Sequence, residues 1–166
     1  MLYLFDLDGT LISSYMDAPG RNFDTWQLLP GRQEMIARLI HLGHDVALVS
    51  NQAGVAFGLV TEQDVIKKLG RVAMVLGFAS ISMHDGGQPM NAGWDLPRLS
   101  CFVCYNDSRA RSRQYQDASR RKPSGAMIRE AMAEFSAAAD DVLFVGDRPE
   151  DEAAARDARV RFQWAD

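Results

Sequence analysis

Cysteine is scarce in this chain of 166 residues, which contains two. Two cysteines are too few for a disulfide framework and favour a protein of the reducing cytoplasm. The sequence also lacks any apolar run near the roughly 20 residues that a membrane-spanning helix needs, so we expect no membrane-embedded segment. Because Met1 leads straight into an apolar strand pattern, we expect neither a signal peptide nor a transit peptide.

Internal repeats and low-complexity segments are absent from the sequence as well. What is present is an ordinary globular composition, with 47% hydrophobic and 24% charged residues. At this length we expect one domain over residues 1–166, large enough to bury most of the surface that its unfolded chain exposes.

The net charge of −4 is spread unevenly along the chain. Between Arg98 and Lys122, seven basic residues against two acidic ones give a net charge of +5, which leaves −9 for the remainder. This asymmetry favours an anionic partner near one edge of the molecule, although a solvated arginine-rich loop fits the same pattern. Arginines together with Tyr115 could hold a backbone phosphate and stack on a base. The candidate substrate contacts are Arg109, Arg111, Arg113 and Arg121.

Apolar runs alternate with helical patterns along the chain. Runs such as Leu2–Phe5, which show no polar alternation, are typical of strands buried on both faces. We predict strands at 2–5, 45–50, 78–83, 100–105, 142–146 and 160–162, and helices at 33–42, 61–76, 124–138 and from Pro149 onward. Thr61 and Asp64 would cap the second helix. Strands that alternate with helices predict an α/β fold with a doubly wound, Rossmann-like parallel sheet flanked by helices.

Two aspartates, Asp6 and Asp8, come directly after the first apolar run. Their side chains point the same way if the strand geometry continues through them. Paired carboxylates at the end of a core strand repel each other and are costly to desolvate. A divalent cation relieves both costs, and the carboxyl edge of an open α/β sheet is where ligands bind. A surface turn with two solvated aspartates is the alternative.

The aspartates belong to the run Phe5–Leu11 (FDLDGTL), which resembles the signature of the haloacid dehalogenase superfamily. Three further segments match the motifs of that family in the same chain order: Val46–Ser50 followed by Asn51, Lys122 before Pro123, and Val142–Asp147 with Asp151 four residues later. Three of the four motifs lie at predicted strand ends. The resemblance extends from about residue 2 to residue 158, which is nearly the whole chain.

The positions at which relatives of this superfamily insert a large cap hold no such domain here. Residues 12–31 are the size of a flap, and residues 84–121 form a long loop or insert around the strand candidate at 100–105. The resemblance implies capless subclass III, whose open site suits a polymeric substrate or a small one bound by a partner subunit. Segments 50–55 (SNQAGV) and 121–125 (RKPSG) resemble the histidinol-phosphate phosphatases, heptose bisphosphate phosphatases and polynucleotide 3′-phosphatase domains of this branch.

The resemblance also implies roles for the acidic residues. Asp6 would be the nucleophile that accepts the phosphoryl group, and Asp8 would be the general acid and base. Magnesium would be held by Asp6, by the backbone carbonyl of Asp8 and by Asp147. Asp151 would steer a metal-bound water or hold Lys122.

Phosphate binding would fall to Ser50, to the backbone N–H of Asn51 and to the ammonium of Lys122. Each residue taken singly has an ordinary structural explanation. Ser50 can bond to its own backbone, and Lys122 beside a proline can be solvated. Asp147 and Asp151 can complement a helix dipole.

Zinc is not expected, although heptose and histidinol phosphatases of this branch often carry a zinc loop. Cys101 and Cys104 form one pair, and a four-ligand site needs a second pair. Cys104 fits the first ligand position of that loop, but Asn106 replaces its histidine, and Ala118 and Arg120 occupy its last two cysteine positions. We therefore expect both cysteines to be core or strand residues.

The sequence thus favours a magnesium-dependent phosphomonoesterase that acts through an aspartyl-phosphate intermediate. Two substrate classes remain open: a 3′-phosphorylated nucleic acid end, and a small metabolite of the sugar or histidinol type. A non-catalytic domain that binds a phosphorylated ligand is the alternative of another class. The oligomeric state is not indicated by the sequence.

Overall fold

Six parallel strands form one sheet in the computed structural model, which describes residues 1–14, 22–87 and 97–166. The strand order is β3-β4-β2-β1-β5-β6. The strands are β1 (Leu2–Phe5), β2 (Asp45–Asn51), β3 (Ser80–His84), β4 (Arg98–Cys104), β5 (Val142–Gly146) and β6 (Arg161–Trp164). The predicted parallel α/β sheet is confirmed.

Helices cover both faces of the sheet. They are α1 (Arg32–His41), α2 (Glu62–Val75), α3 (Ala126–Glu134) and α4 (Pro149–Ala158), with short 3-10 turns at Arg113–Tyr115 and Ala139–Asp141. Successive strand residues point to opposite faces, so Phe5 packs in the apolar core with α1 and α2, and Leu4 packs in the core with α3 and α4. The doubly wound arrangement predicted from the alternating pattern is confirmed.

Local residues explain where two of the helices begin and end. The Thr61 side chain accepts a hydrogen bond from the Asp64 N–H at 3.1 Å, and the Asp64 carboxylate accepts one from the Thr61 N–H at 2.8 Å. This confirms the predicted cap of α2. By contrast, α3 is shorter than the predicted 124–138 and covers Ala126–Glu134. The helix cannot continue to residue 138, because the backbone of Ser136 has a φ of +50°.

Residues 84–121 are more than a long loop. Arg98–Cys104 forms β4, which lies between β2 and β3 in the sheet and confirms the strand predicted at 100–105 within this range. Residues 15–21 of the predicted flap and 88–96 of the predicted loop lie outside the described residues. The described residues contain no large cap domain, and none of their helices is long and apolar enough to span a membrane.

The carboxyl ends of β2, β1 and β5 determine where a ligand can bind. From β1 the chain continues to β2 on one side, and much later it reaches β5 on the other side. Loops diverge at such a switch point and leave a crevice above the strand ends. Asp6, Ser50 and Asp147 lie at or directly after the ends of these three strands, and the fold therefore brings them to one edge.

Candidate active site

Three carboxylates meet at the carboxyl ends of β1 and β5. Asp6 follows β1, Asp147 follows β5, and Asp151 lies in the first turn of α4. One oxygen from each residue lies within 4.8 Å of the other two. Asp6 and Asp151 are buried, whereas Asp147 is partly exposed. We refer to these three residues as the acidic cluster.

Lys122 supplies a positive charge within the acidic cluster. Its Nζ lies 2.6 Å from Asp6 Oδ1 and 2.6 Å from Asp151 Oδ1, and it donates a third bond to the Val49 carbonyl at 3.0 Å. The residue is 4% exposed, so it is not a solvated lysine. Burial alone would lower the pKa of Lys122, but the charges of Asp6 and Asp151 outweigh it and raise this pKa above the ordinary lysine value. The ammonium therefore stays protonated at neutral pH.

The acidic cluster carries more negative charge than Lys122 can compensate. Burial raises the pKa of Asp6 to about 7, with Lys122 opposing the rise and Asp151 adding to it. A divalent cation among the three carboxylates would remove this cost, because it compensates two charges at once. Carboxylate oxygens are the hard ligands that magnesium and similar cations prefer, so the donor set fits such an ion.

Two residues of the Phe5–Leu11 run hold Asp147 against β1. Thr10 Oγ1 donates a hydrogen bond to Asp147 Oδ1 at 3.2 Å. Gly9 has a φ of +89°, and a Cβ at this position would overlap the Asp147 carboxylate. Glycine is therefore required here both for the backbone conformation and for the close approach of Asp147.

Asp8 contacts a different set of groups from Asp6. Lys68 Nζ lies 2.9 Å from Asp8 Oδ1, and Gln52 Nε2 donates to Asp8 Oδ2 at 2.9 Å. The same Gln52 nitrogen is 2.9 Å from Ser50 Oγ. Asp8 remains partly exposed, whereas Lys68 is fully buried. A carboxylate held from both sides but open to solvent is well placed to exchange protons with a substrate.

Sequence reasoning missed Lys68 and Gln52. Lys68 lies between Val65 and Val72 on the buried face of α2. A lysine on an otherwise apolar helix face was the sequence feature that could have indicated a buried charged partner. Gln52 falls inside the SNQAGV segment, but its contact with Asp8 depends on how β1 and β2 pack and has no local signature.

The predicted phosphate-binding residues lie near Lys122. Ser50 is buried at the end of β2. The Asn51 side chain donates to the Lys122 carbonyl at 3.1 Å and accepts from the Lys122 N–H at 3.0 Å. It therefore fixes the backbone that carries Lys122. The phosphate contact of the Asn51 backbone N–H stays a prediction.

A cavity of about 310 Å³ opens above these groups. Its charged and polar lining includes most of the predicted site: Asp6, Asp8, Ser50, Asn51, Lys122 and Asp151. Phe57 and Leu59 also line it, and both are exposed to solvent. The cavity thus combines a charged floor with an apolar rim.

The four predicted arginine contacts are not equivalent. Arg121 lines the cavity, and its Nε lies 3.6 Å from a carboxylate oxygen of the buried Asp107. Arg109 binds the same carboxylate and lies against the ring of Phe57, at the rim. Arg111 and Arg113 are exposed and are not part of the cavity lining. Two of the four arginines therefore meet the cavity or its rim.

Cys101 and Cys104 lie in β4 and are both buried, as predicted for core or strand residues. Burial raises the pKa of both thiols above the ordinary cysteine value. Asn106, at the predicted zinc-loop position, donates instead to the Asp117 carbonyl at 2.7 Å.

Together, the parallel sheet and the acidic cluster at its switch point agree with the haloacid dehalogenase superfamily. The chain belongs to the polynucleotide kinase 3 phosphatase family, whose model matches residues 1–165. The resemblance seen in the sequence motifs is confirmed by this match.

Several curated proteins and solved structures are similar to the chain. A 20.8 kDa protein of Autographa californica nuclear polyhedrosis virus is 40% identical over 74 residues, which cover 44% of this chain and 40% of the viral protein. The heptose-1,7-bisphosphate 7-phosphatase of Pasteurella multocida is 24% identical over 156 residues, 94% of this chain and 76% of that enzyme. The chain thus spans less than half of the viral relative.

Solved structures support the same fold. The heptose 1,7-bisphosphate phosphatase of B. bronchiseptica, complexed with magnesium and phosphate, is 26% identical with a TM-score of 0.68, over 98% of this chain and 78% of that one. A protein from Mesorhizobium loti described as a haloacid dehalogenase-like phosphatase has a TM-score of 0.70 at 24% identity, over 95% of this chain and 68% of that one.

Proposed function

We propose that this chain is a magnesium-dependent phosphatase that removes the phosphate from the 3′ end of a nucleic acid through an aspartyl-phosphate on Asp6. The observation that carries the proposal is the buried contact of Lys122 with Asp6 and Asp151, beside Asp147. The family match over residues 1–165 supports the 3′-phosphate substrate. We also propose that residues 1–166 act as one hydrolase domain in the cytoplasm, which two free, buried cysteines favour.

The side chains of the site can divide hydrolysis into two easier steps. In the first, a carboxylate oxygen of Asp6 attacks phosphorus, and the departing sugar oxygen takes a proton from Asp8. In the second, Asp8 takes a proton from water, which attacks phosphorus and releases phosphate and the free Asp6 carboxylate. Lys122 and Ser50 hold phosphoryl oxygens while negative charge builds up on them.

Magnesium would be held by Asp6, Asp147 and the backbone carbonyl of Asp8. When bound, it supplies the positive charge that lets an anionic phosphate approach these carboxylates. The contacts of Asp151 with Lys122 and with the Arg148 N–H at 3.1 Å favour its role as the anchor of Lys122.

A small phosphorylated metabolite is the second candidate substrate, because several relatives are heptose bisphosphate phosphatases. A non-catalytic binding domain is less well supported, since all four motifs are intact and Asp6 and Asp8 both line the cavity.

The substrate class is tested by comparing kcat/KM for a 3′-phosphorylated oligonucleotide, its 5′-phosphorylated isomer, a heptose bisphosphate and a simple alkyl phosphate. We expect the 3′-phosphorylated oligonucleotide to exceed the alkyl phosphate by about 100-fold or more, because remote contacts contribute to transition-state binding. EDTA should abolish the release of phosphate, and added magnesium should restore it. An oligonucleotide rate no higher than that of the alkyl phosphate would contradict the proposal in favour of a metabolite.

Lys68→Met is expected to lower kcat by about 10- to 100-fold with little change in KM, because Asp8 loses the cation that fixes its orientation. Lys67→Met is the matched control, since Lys67 is the adjacent, exposed lysine on α2. Steady-state kinetics on one substrate measures both variants. Equal kcat values for the two variants would show that Lys68 does not position Asp8.

A further inference from the structure

An exposed aromatic ring stands at the mouth of the phosphate cavity. Phe57 lines this cavity and is 44% exposed, and its neighbour Leu59 lines it as well and is 70% exposed. Single exposed apolar residues are common on protein surfaces. Here, however, two of them border a cavity whose floor consists of carboxylates and a lysine. A ligand in this cavity can therefore contact both a charged floor and an apolar rim.

A fixed arginine lies against the ring. The guanidinium carbon of Arg109 is 5.4 Å from the centroid of Phe57, within the range of a cation–π contact. Arg109 donates through Nε and Nη2 to the two carboxylate oxygens of Asp107, each at 2.9 Å. Asp107 is buried, and its bonds with Arg109 hold the pKa of this carboxyl well below its usual range. The guanidinium of Arg109 is therefore held by a carboxylate that stays ionised at neutral pH.

The loop that carries Arg109 is itself anchored. The Asp107 N–H donates to the Tyr115 carbonyl at 2.9 Å, and the Tyr115 hydroxyl donates to Glu62 at 2.8 Å. These bonds tie the loop to the start of α2. They also engage Tyr115, the predicted stacking residue, in a hydrogen bond. Among the described aromatic residues that line the cavity, Phe57 is exposed and Phe23 is only partly exposed. A preorganised surface of this kind loses little entropy when a ligand binds.

We infer that Phe57 and Arg109 form a nucleobase subsite, in which the ring of Phe57 stacks on the base of the nucleotide that bears the 3′-phosphate. The inference rests on the proposed function and specifies the part of the substrate that is recognised beside the phosphate. A base offers a flat aromatic face to the half-exposed ring next to a cation, whereas a sugar phosphate offers no aromatic face.

The test compares two 3′-phosphorylated oligonucleotides that differ at the last nucleotide, one with a base and one abasic. We expect the protein to prefer the base-bearing oligonucleotide in kcat/KM by about 5- to 100-fold, the range of stacking on one aromatic side chain. Phe57→Ala should reduce this preference to about one, and Phe57→Trp should keep it. Arg109→Ala should reduce it in part, since the ring loses its fixed neighbour.

Matched controls are Leu42→Ala, an exposed apolar residue at the opposite edge of the sheet, and Arg129→Ala, an exposed arginine paired with Asp157 at 3.1 Å. Both should keep the full preference. A protein that cleaves both oligonucleotides equally well, or a Phe57→Ala variant that keeps the preference, would overturn the subsite while leaving the 3′-phosphatase function in place. Failure to cleave either oligonucleotide faster than an alkyl phosphate would instead overturn the function, and the subsite with it.

Discussion

Asp6→Asn is expected to lower phosphate release by about 10⁴-fold or more, the scale seen when a catalytic nucleophile is removed. The amide cannot attack phosphorus, and Asp151 is not free to replace Asp6, because it is held by Lys122 and by the Arg148 N–H. The fold should survive, because burial already disfavours the ionised form of Asp6, whose pKa is raised to about 7. Steady-state phosphate release together with thermal unfolding measures both effects.

Asp45→Asn is the matched control for this variant. Asp45 is exposed at the amino end of β2, on the edge of the sheet opposite the cavity, so the same substitution there should leave the rate unchanged. If Asp6→Asn kept a tenth or more of the activity of the unmodified protein, Asp6 would not be the phosphoryl acceptor.

Lys122→Met is expected to destabilise the fold by about 3–5 kcal/mol at neutral pH in the presence of EDTA, because it leaves two buried carboxylates without their cation. The loss should be smaller at pH 5. Lys122 lowers the pKa of Asp6, so its removal raises that pKa further, and the folded state then favours the protonated acid. At low pH, Asp6 is protonated and the variant loses little stability. At higher pH, its ionisation in the unfolded state favours unfolding, so the variant loses more.

Urea unfolding at both pH values, with EDTA or with magnesium, measures this effect. Magnesium should restore part of the lost stability, because a divalent ion in the acidic cluster replaces some of the missing charge. Activity should fall by about 10²- to 10³-fold, since one fixed charge near the phosphoryl oxygens is lost. Unfolding free energies within about 1 kcal/mol of the unmodified protein would show that Lys122 is not the essential counter-charge.

The core of the site could be predicted from the sequence because it depends on strand order and polarity. Unbroken apolar runs predict buried parallel strands, and parallel strands place their carboxyl ends at one edge. Asp6 and Asp147 follow two such runs and do meet there. Lys122 is different: it is 116 residues from Asp6, and its assignment depended on the resemblance to a family rather than on any local pattern.

The remaining contacts depend on packing between distant segments, which no local pattern encodes. Lys68, on α2, contacts Asp8 from 60 residues further along the chain, and Arg109 reaches Phe57 because Asp107 fixes its guanidinium. For the same reason, the arginine pattern could not indicate which of its members meets the cavity. The pattern offers Arg111 and Arg121 as equal candidates, although Arg111 is exposed and outside the cavity lining, whereas Arg121 lines the cavity.

The most direct test of Asp6 as the phosphoryl acceptor is a rapid acid quench during the first turnover of a 3′-³²P-labelled oligonucleotide, with the protein in excess. Label should appear transiently on the protein, on the peptide that contains Asp6, and hydroxylamine should remove it as it does from an acyl phosphate. Asp6→Asn should show none. Full release of labelled phosphate with no label on the protein at any time would contradict the covalent mechanism and favour direct attack by water.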